Sequence, residues 1–130
     1  MFLLDVGLLG AMSELDSKSI IEGNTLFEEF KGALTEQYAC QELIASCGLV
    51  PYYWSAENSR GEVDFLVQSA GAVYAIEVKA EENLRAKSLR SFKEKYPEIQ
   101  ARRFSLSDYR EQDWLTNVPL YLMGNTGLWL

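Results

Sequence analysis

The chain has 130 residues, 48% of them hydrophobic, which makes one domain by length, able to bury a core without staples, and excludes a disordered composition. It has no histidine, so the commonest zinc ligand and the commonest general base are ruled out, and any catalysis must rest on carboxylates, Lys, Ser or Tyr. The net charge of −7 argues, taken whole, against a nucleic-acid partner, but residues 79–103 hold eight basic side chains against four acidic ones, or +4, while the remainder holds four against fifteen, or −11. A locally basic element on an acidic body can still approach phosphate.

Residues 1–9 are apolar but lack a basic start and carry Asp5, so they read neither as a signal peptide nor as a bilayer span. Residues 2–4 look like a strand end and 7–12 like a short helix. From 25 to 47 the apolar residues Leu26, Phe27, Phe30, Ala33, Leu34, Cys40, Ile44 and Cys47 recur at helical spacing. Lys31, Thr35, Glu42 and Ser46 fall opposite, and Gly48 supplies the stop. Cys40 and Cys47, two turns apart on that helix, are too distant for a disulfide and are expected reduced and buried, which suits a cytoplasmic protein.

Residues 49–54 are rich in strand formers, with Pro51 placing them at an edge or a strand start. After turn chemistry at 56–61, residues 62–67 alternate, with Val63, Phe65 and Val67 on one face and Glu62, Asp64 and Leu66 on the other. A short connection at 69–71 leads to a strand at 72–79, paired as an antiparallel hairpin. Residues 84–96 are amphipathic: Leu84, Ser88, Leu89, Phe92 and Tyr96 lie inside, Arg85, Arg90, Lys93 and Lys95 mostly outside, and Pro97 ends the helix. A fourth strand is expected at 101–106 and a fifth at 119–123. The order helix, three strands, helix, strand predicts an α/β domain, a mixed sheet flanked by helices, spanning 1–130.

The strand at 72–79 is apolar until it ends on Glu77, Val78 and Lys79. Taking two charges out of water costs several kcal/mol per ion unless they are compensated, so Glu77 and Lys79, projecting to one face, call for a partner. Asp64 stands on the neighbouring strand, and Glu36 falls within the apolar sector of the long helix between Ala33, Cys40 and Leu43. Hard oxygen ligands from Asp64 and Glu77, completed by the Val78 carbonyl and waters, suit Mg²⁺ or Mn²⁺ better than zinc. Lys79 could then stabilise developing negative charge or orient an attacking water, and the metal could lower that water's pKa and clamp a phosphate. Plainer readings stand beside this one: a hydrated strand end for Glu77 and Lys79, an edge-of-face ion pair for Glu36, a hydrogen-bonded turn residue for Asp64.

Taken together, Asp64, then Glu77-Val78-Lys79 after a hairpin, behind a helix bearing Glu36, resembles the PD-(D/E)XK nuclease superfamily. More narrowly, residues 5–9, 32–36, 61–65, 76–79, 87–89 with Phe92, and 119–122 resemble the uncharacterised domain found C-terminal to bacterial and archaeal AAA-type ATPases. The resemblance implies a restriction-endonuclease-like core in which Asp64 and Glu77 are metal ligands, Lys79 the catalytic lysine and Glu36 an auxiliary acid. Val63 stands where the superfamily's name has Pro. Ser88 matches a polar position of resolvase-like relatives, with packing against the sheet as its plainer role. The resemblance also implies an ATPase domain preceding this segment, the chain being a C-terminal fragment or a shortened relative. No glycine-rich phosphate loop is present in the chain.

Arg85, Lys87, Arg90, Lys93, Lys95, Arg102 and Arg103 are candidate phosphate contacts, against an ordinary solvated helix face. Tyr52, Tyr53 and Trp54 could stack on bases or simply form core and sheet edge. The residues thus support three readings: a metal-dependent nuclease-like domain acting on DNA, a non-catalytic module that binds DNA or protein and regulates an attached ATPase, and a plain scaffold with an ion pair. No membrane partner is expected, and a homo-oligomer stays open.

Overall fold

A computed structural model describes residue 2 and residues 25–57, 61–80 and 85–130, with side chains in the first helix described from Lys31 onward. The expected helix at 7–12, and the strand at 2–4 apart from Phe2, lie outside the described residues, as do the side chains of Leu26, Phe27 and Phe30. The described elements are α1 (Thr25–Ala45), β1 (Tyr52–Ser55), β2 (Glu62–Ser69), β3 (Ala72–Lys79), α2 (Lys87–Lys95), β4 (Gln100–Ser105), β5 (Arg110–Glu111) and β6 (Thr116–Pro119). The fold is α/β, in the expected order of helix, three strands, helix, strand.

Among the described residues the strands form one six-stranded mixed sheet in the order β1-β2-β3-β4-β6-β5. The first three are antiparallel, β3, β4 and β6 run parallel, and β5 returns antiparallel to β6. The β2–β3 hairpin turns through Ala70 (φ 48°) and Gly71 (φ 81°), two left-handed residues whose twist matches the flanking strands. The parallel β3–β4 pair needs a crossover, which α2 supplies.

Two cores result, one on each face of the sheet. On the α1 face, Ala39, Cys40 and Leu43 pack against Phe65, Val67, Ile76, Val78, Phe104, Val118 and Trp129. On the α2 face, Leu89 and Phe92 pack against Val63, Ala75, Ala101 and Leu115. Each fully buried side chain of this size contributes about 1.5–3 kcal/mol, so two small cores suffice for a domain of this length.

The structure corrects four expectations. Val63 does not share a face with Phe65 and Val67: it joins the α2 core while they join the α1 core. The β1–β2 register shifts between Tyr52 and Trp54, and such a bulge adds one residue to a strand and reverses the facing of the residues beyond it. On α1, Ile44 is 56% exposed and Ala33 is exposed, because the inward stripe runs through Gln37, Cys40 and Leu43. The strand expected at 119–123 lies instead at Thr116–Pro119, as β6, and residues 120–122 form a 3₁₀ turn after Pro119. Cys47 is only half-buried, although it and Cys40 are both free thiols. Gly48 does end the helix, at φ 65°, letting the Leu49 N–H bond the Leu43 carbonyl at 2.8 Å.

Candidate active site

The hairpin positions the acids. The β2–β3 ladder begins at Phe65 opposite Ile76, so Asp64 stands beside Glu77, just past the ladder's end and within the bulged part of β2. There the Asp64 side chain takes over from the ladder: its Oδ2 accepts the backbone N–H of Val78 at 2.7 Å. Glu77 is 7% exposed, and Lys79, half out in solvent, holds its Nζ 3.4 Å from Glu77 Oε1.

The second oxygen is the anomaly. Glu77 Oε2 is buried and has no hydrogen-bond partner, the sole such side-chain atom among the described residues. Leaving a buried polar atom unsatisfied costs about 1–3 kcal/mol, and more when it is charged. An orphaned carboxylate oxygen beside a second carboxylate is the arrangement a divalent cation would satisfy, and oxygen donors suit Mg²⁺ or Mn²⁺. Among the described residues no group of three or more His, Cys, Asp or Glu side chains could hold a metal ion, so the fit rests on Asp64, Glu77 and a main-chain carbonyl such as that of Val78.

Burial dominates the electrostatics of all three acids. It pushes the Glu77 carboxyl above its ordinary value, with Lys79 opposing and Asp64 adding to the rise. Asp64 is likewise raised by burial, against the Val78 N–H and Lys79. Glu36 on α1 is raised by burial and then by Asp64, while Lys79 pulls it down. Asp64 and Lys79 thus act electrostatically on both Glu36 and Glu77, whereas Glu36 and Glu77 are not among the charges that shift each other.

A polar row crosses the sheet from this point. Glu77 is the register partner of Arg103, Arg103 of Asn117, and Asn117 of Arg110. Arg103 is 4% exposed, and its Nε donates to Asn117 Oδ1 at 2.9 Å. Ser105 Oγ donates to the same oxygen at 2.8 Å, and Asn117 Nδ2 donates to the Asp108 carbonyl at 2.8 Å. Asn117 thus fixes the Arg103 guanidinium and the loop before β5. Glu77 is in turn among the charges felt by Arg103.

Of the candidate phosphate contacts, Arg85, Lys87, Arg90 and Arg103 line one cleft of about 430 Å³, where Arg110, Gln112 and Trp114 join them. Ser88 is half-buried on α2 and is not among the residues that line the cleft. Arg102 is tied up structurally, its Nε donating to the Trp129 carbonyl at 2.7 Å and its guanidinium lying 5.2 Å from the Tyr74 ring centre. Lys93 bonds the Pro97 and Ile99 carbonyls at the end of α2. Tyr52 and Tyr53 are exposed on edge strand β1, whereas Trp54 packs on Phe92 with ring centres 4.5 Å apart.

Sequence reasoning missed Arg110, Trp114 and Asn117. Their one available signal was Arg110 as a lone cation in the acidic stretch 108–113.

Among the described residues no helix is long and apolar enough to cross a membrane. A family model, described as a domain of unknown function (DUF4143), matches residues 31–123. No curated protein and no solved structure matches the chain.

Proposed function

This chain belongs to the DUF4143 family, and we propose that it is a metal-dependent nuclease-like domain of the PD-(D/E)XK kind, hydrolysing DNA phosphodiesters. The observation that carries this reading is the buried, unpartnered Glu77 Oε2 beside Asp64 and Lys79. In it, Asp64, Glu77 and the Val78 carbonyl would hold Mg²⁺ or Mn²⁺. When bound, the cation offsets charge developing on the phosphoryl oxygens.

The chain's own side chains do the rest. Lys79 keeps its ammonium at the rim, anchored by Glu77, where it can meet a phosphoryl oxygen. Glu36 holds its proton to higher pH than an exposed Glu, which suits an auxiliary acid near the leaving oxygen. The Val78 N–H keeps the Asp64 carboxylate fixed, so the donors are set before substrate arrives.

The test is plasmid and oligonucleotide cleavage with Mn²⁺ or Mg²⁺. Hydrolysis is expected, with Glu77→Gln and Lys79→Met each slowed at least about 100-fold, the scale of one transition-state contact. Activity that is absent from the intact chain, or undiminished in both variants, would sink the proposal.

A second reading is a non-catalytic module of the same fold that binds DNA or protein and regulates an AAA-type ATPase in cis. The engagement of Asp64 Oδ2 by the Val78 N–H favours it, because that oxygen already has a donor. It predicts DNA or protein binding with no hydrolysis in any divalent metal.

A further inference from the structure

The cleft beside the carboxylates gathers five cationic side chains. Arg85, Lys87, Arg90, Arg103 and Arg110 converge on one concavity, and no carboxylate is among its described lining residues. They come from three separate regions: the residues leading into and along the first half of α2, the middle of β4 and the short β5. Outside residues 79–103 the chain carries −11, so this concentration of cations is not a general property of the surface. Like charges gathered around one concavity repel, and a cluster of five draws an anion.

The helix start adds to the same field. The α2 N-cap is Ala86, which offers no side-chain hydrogen bond, and the first turn holds no acid. Among the described residues no side chain caps that turn, whose N–H groups and positive dipole end favour an anion. Arg90 is steadied from two sides, by Glu94 at 3.2 Å and by the Trp114 ring, whose centre lies 5.9 Å from its guanidinium carbon. Arg103 is anchored through Asn117. Two of the five cations are thus held in place before any ligand arrives.

Shape and charge together select the anion. A backbone phosphodiester carries one negative charge, whereas a terminal phosphate carries about −1.5 to −2 near neutral pH and offers three oxygens. The cationic surface is also short. The adjoining cavity of about 320 Å³ shares Arg103 and Arg110 with the cleft and adds Asp108 but no further cation, and in the other direction the polar row leads from Arg103 to the buried Glu77.

We propose that this cleft seats the terminal phosphate of a single DNA strand, placing a nearby phosphodiester of the same strand over Asp64 and Glu77. The proposal rests on the nuclease-like reading of those two carboxylates, and it makes the strand end the mark from which cleavage is measured.

The test is fluorescence anisotropy in EDTA, where no hydrolysis occurs, using internally labelled single strands of about 12 nucleotides. Strands with a 5′-phosphate, a 3′-phosphate or only hydroxyl ends are compared. One phosphorylated end is expected to raise affinity about tenfold, the scale of one or two charge-assisted hydrogen bonds. Arg85→Ala and Arg110→Ala, both at exposed positions, should abolish that preference with unchanged thermal melts, whereas Glu77→Gln should keep it. Equal affinity for all three strands, or no binding by any, overturns the proposal. So does displacement of the phosphorylated strand by a free nucleoside monophosphate as readily as by unlabelled strand, which would make this a free-nucleotide site. An intact end preference without Mn²⁺-dependent hydrolysis would remove the catalytic reading and leave the cleft assignment. Hydrolysis without an end preference would do the reverse.

Discussion

Two rows of residues, one step apart along the same strands, divide the labour of this fold. Val78, Phe104 and Val118 lie side by side across β3, β4 and β6 and are all buried in the α1 core. Their immediate neighbours in sequence, Glu77, Arg103 and Asn117, lie side by side on the opposite face and are equally buried, yet all are polar. Because successive side chains in a strand point to opposite faces, one backbone presents both rows. The α1 face is dominated by apolar burial. The α2 face is apolar over only part of its area, at Ala75, Ala101, Leu89 and Leu115, and the rest is given to groups that need partners. The contrast locates the cost of function. A polar row in a core contributes little net stability, since each hydrogen bond made there replaces one made with water, and the apolar row has to offset it.

Damage to the apolar row should therefore cost the most. Phe104 is fully buried and stacks edge-on to Trp129 with ring centres 5.2 Å apart. Phe104→Ala should destabilise the chain by about 3–5 kcal/mol through lost burial and the cavity left behind. Chemical denaturation measures it. A loss under about 1 kcal/mol, the size of an ordinary surface effect, would mean the α1 face is not the main source of cohesion.

Next in size is Asn117→Ala, expected to cost about 2–3 kcal/mol, because it removes the acceptor shared by Arg103 Nε and Ser105 Oγ. It separates the two rows because it also acts on the cleft. Phosphate affinity should fall with it, since Arg103 Nε loses its Asn117 acceptor, whereas Phe104→Ala assayed below its unfolding transition should leave affinity unchanged. If both variants weaken phosphate binding equally, the rows are not functionally distinct.

How much of this is legible in the sequence depends on contact distance along the chain. Asp64, Glu77 and Lys79 belong to one hairpin with a two-residue turn, so their proximity can be deduced from alternation and turn chemistry alone. The bulge cannot, because Val63, Phe65 and Val67 alternate identically whether or not a residue is inserted opposite Tyr52 and Trp54. The cleft is half visible. Arg85, Lys87 and Arg90 advertise a basic helix face, but Arg110 reaches them only through the β4-β6-β5 order. The same order hides β6, whose Asn117 reads as a loop residue until its partners on β4 and before β5 are known. The apolar run after Pro119 looks more like a strand than the strand itself.

The smallest expected effect is also the most discriminating, since it asks whether the acidic end of the polar row is strained. Glu77, Asp64 and Glu36 all have their pKa values raised in the folded chain, mainly by burial. A carboxyl whose folded pKa lies above its unfolded value binds more protons when folded, so its contribution to stability is fully present below the unfolded value, near ~4. That contribution is lost as pH rises through the folded pKa. Other things equal, the chain should therefore lose stability relative to Glu77→Gln as pH rises from the ordinary Glu value through the raised folded one, by an amount on the order of 1 kcal/mol. Thermal melts of both proteins across that range test it. Mn²⁺ should recover the loss in the parent chain at about pH 7.5, have little effect at about pH 5 where protons compete for the same oxygens, and leave Glu77→Gln unaffected at either pH. A parent chain that gains stability relative to the variant as pH rises would mean that Lys79 and Arg103 already satisfy Glu77. The case for a cation at this end of the row would then fall, while the phosphate cleft at the other end would stand on its own cations.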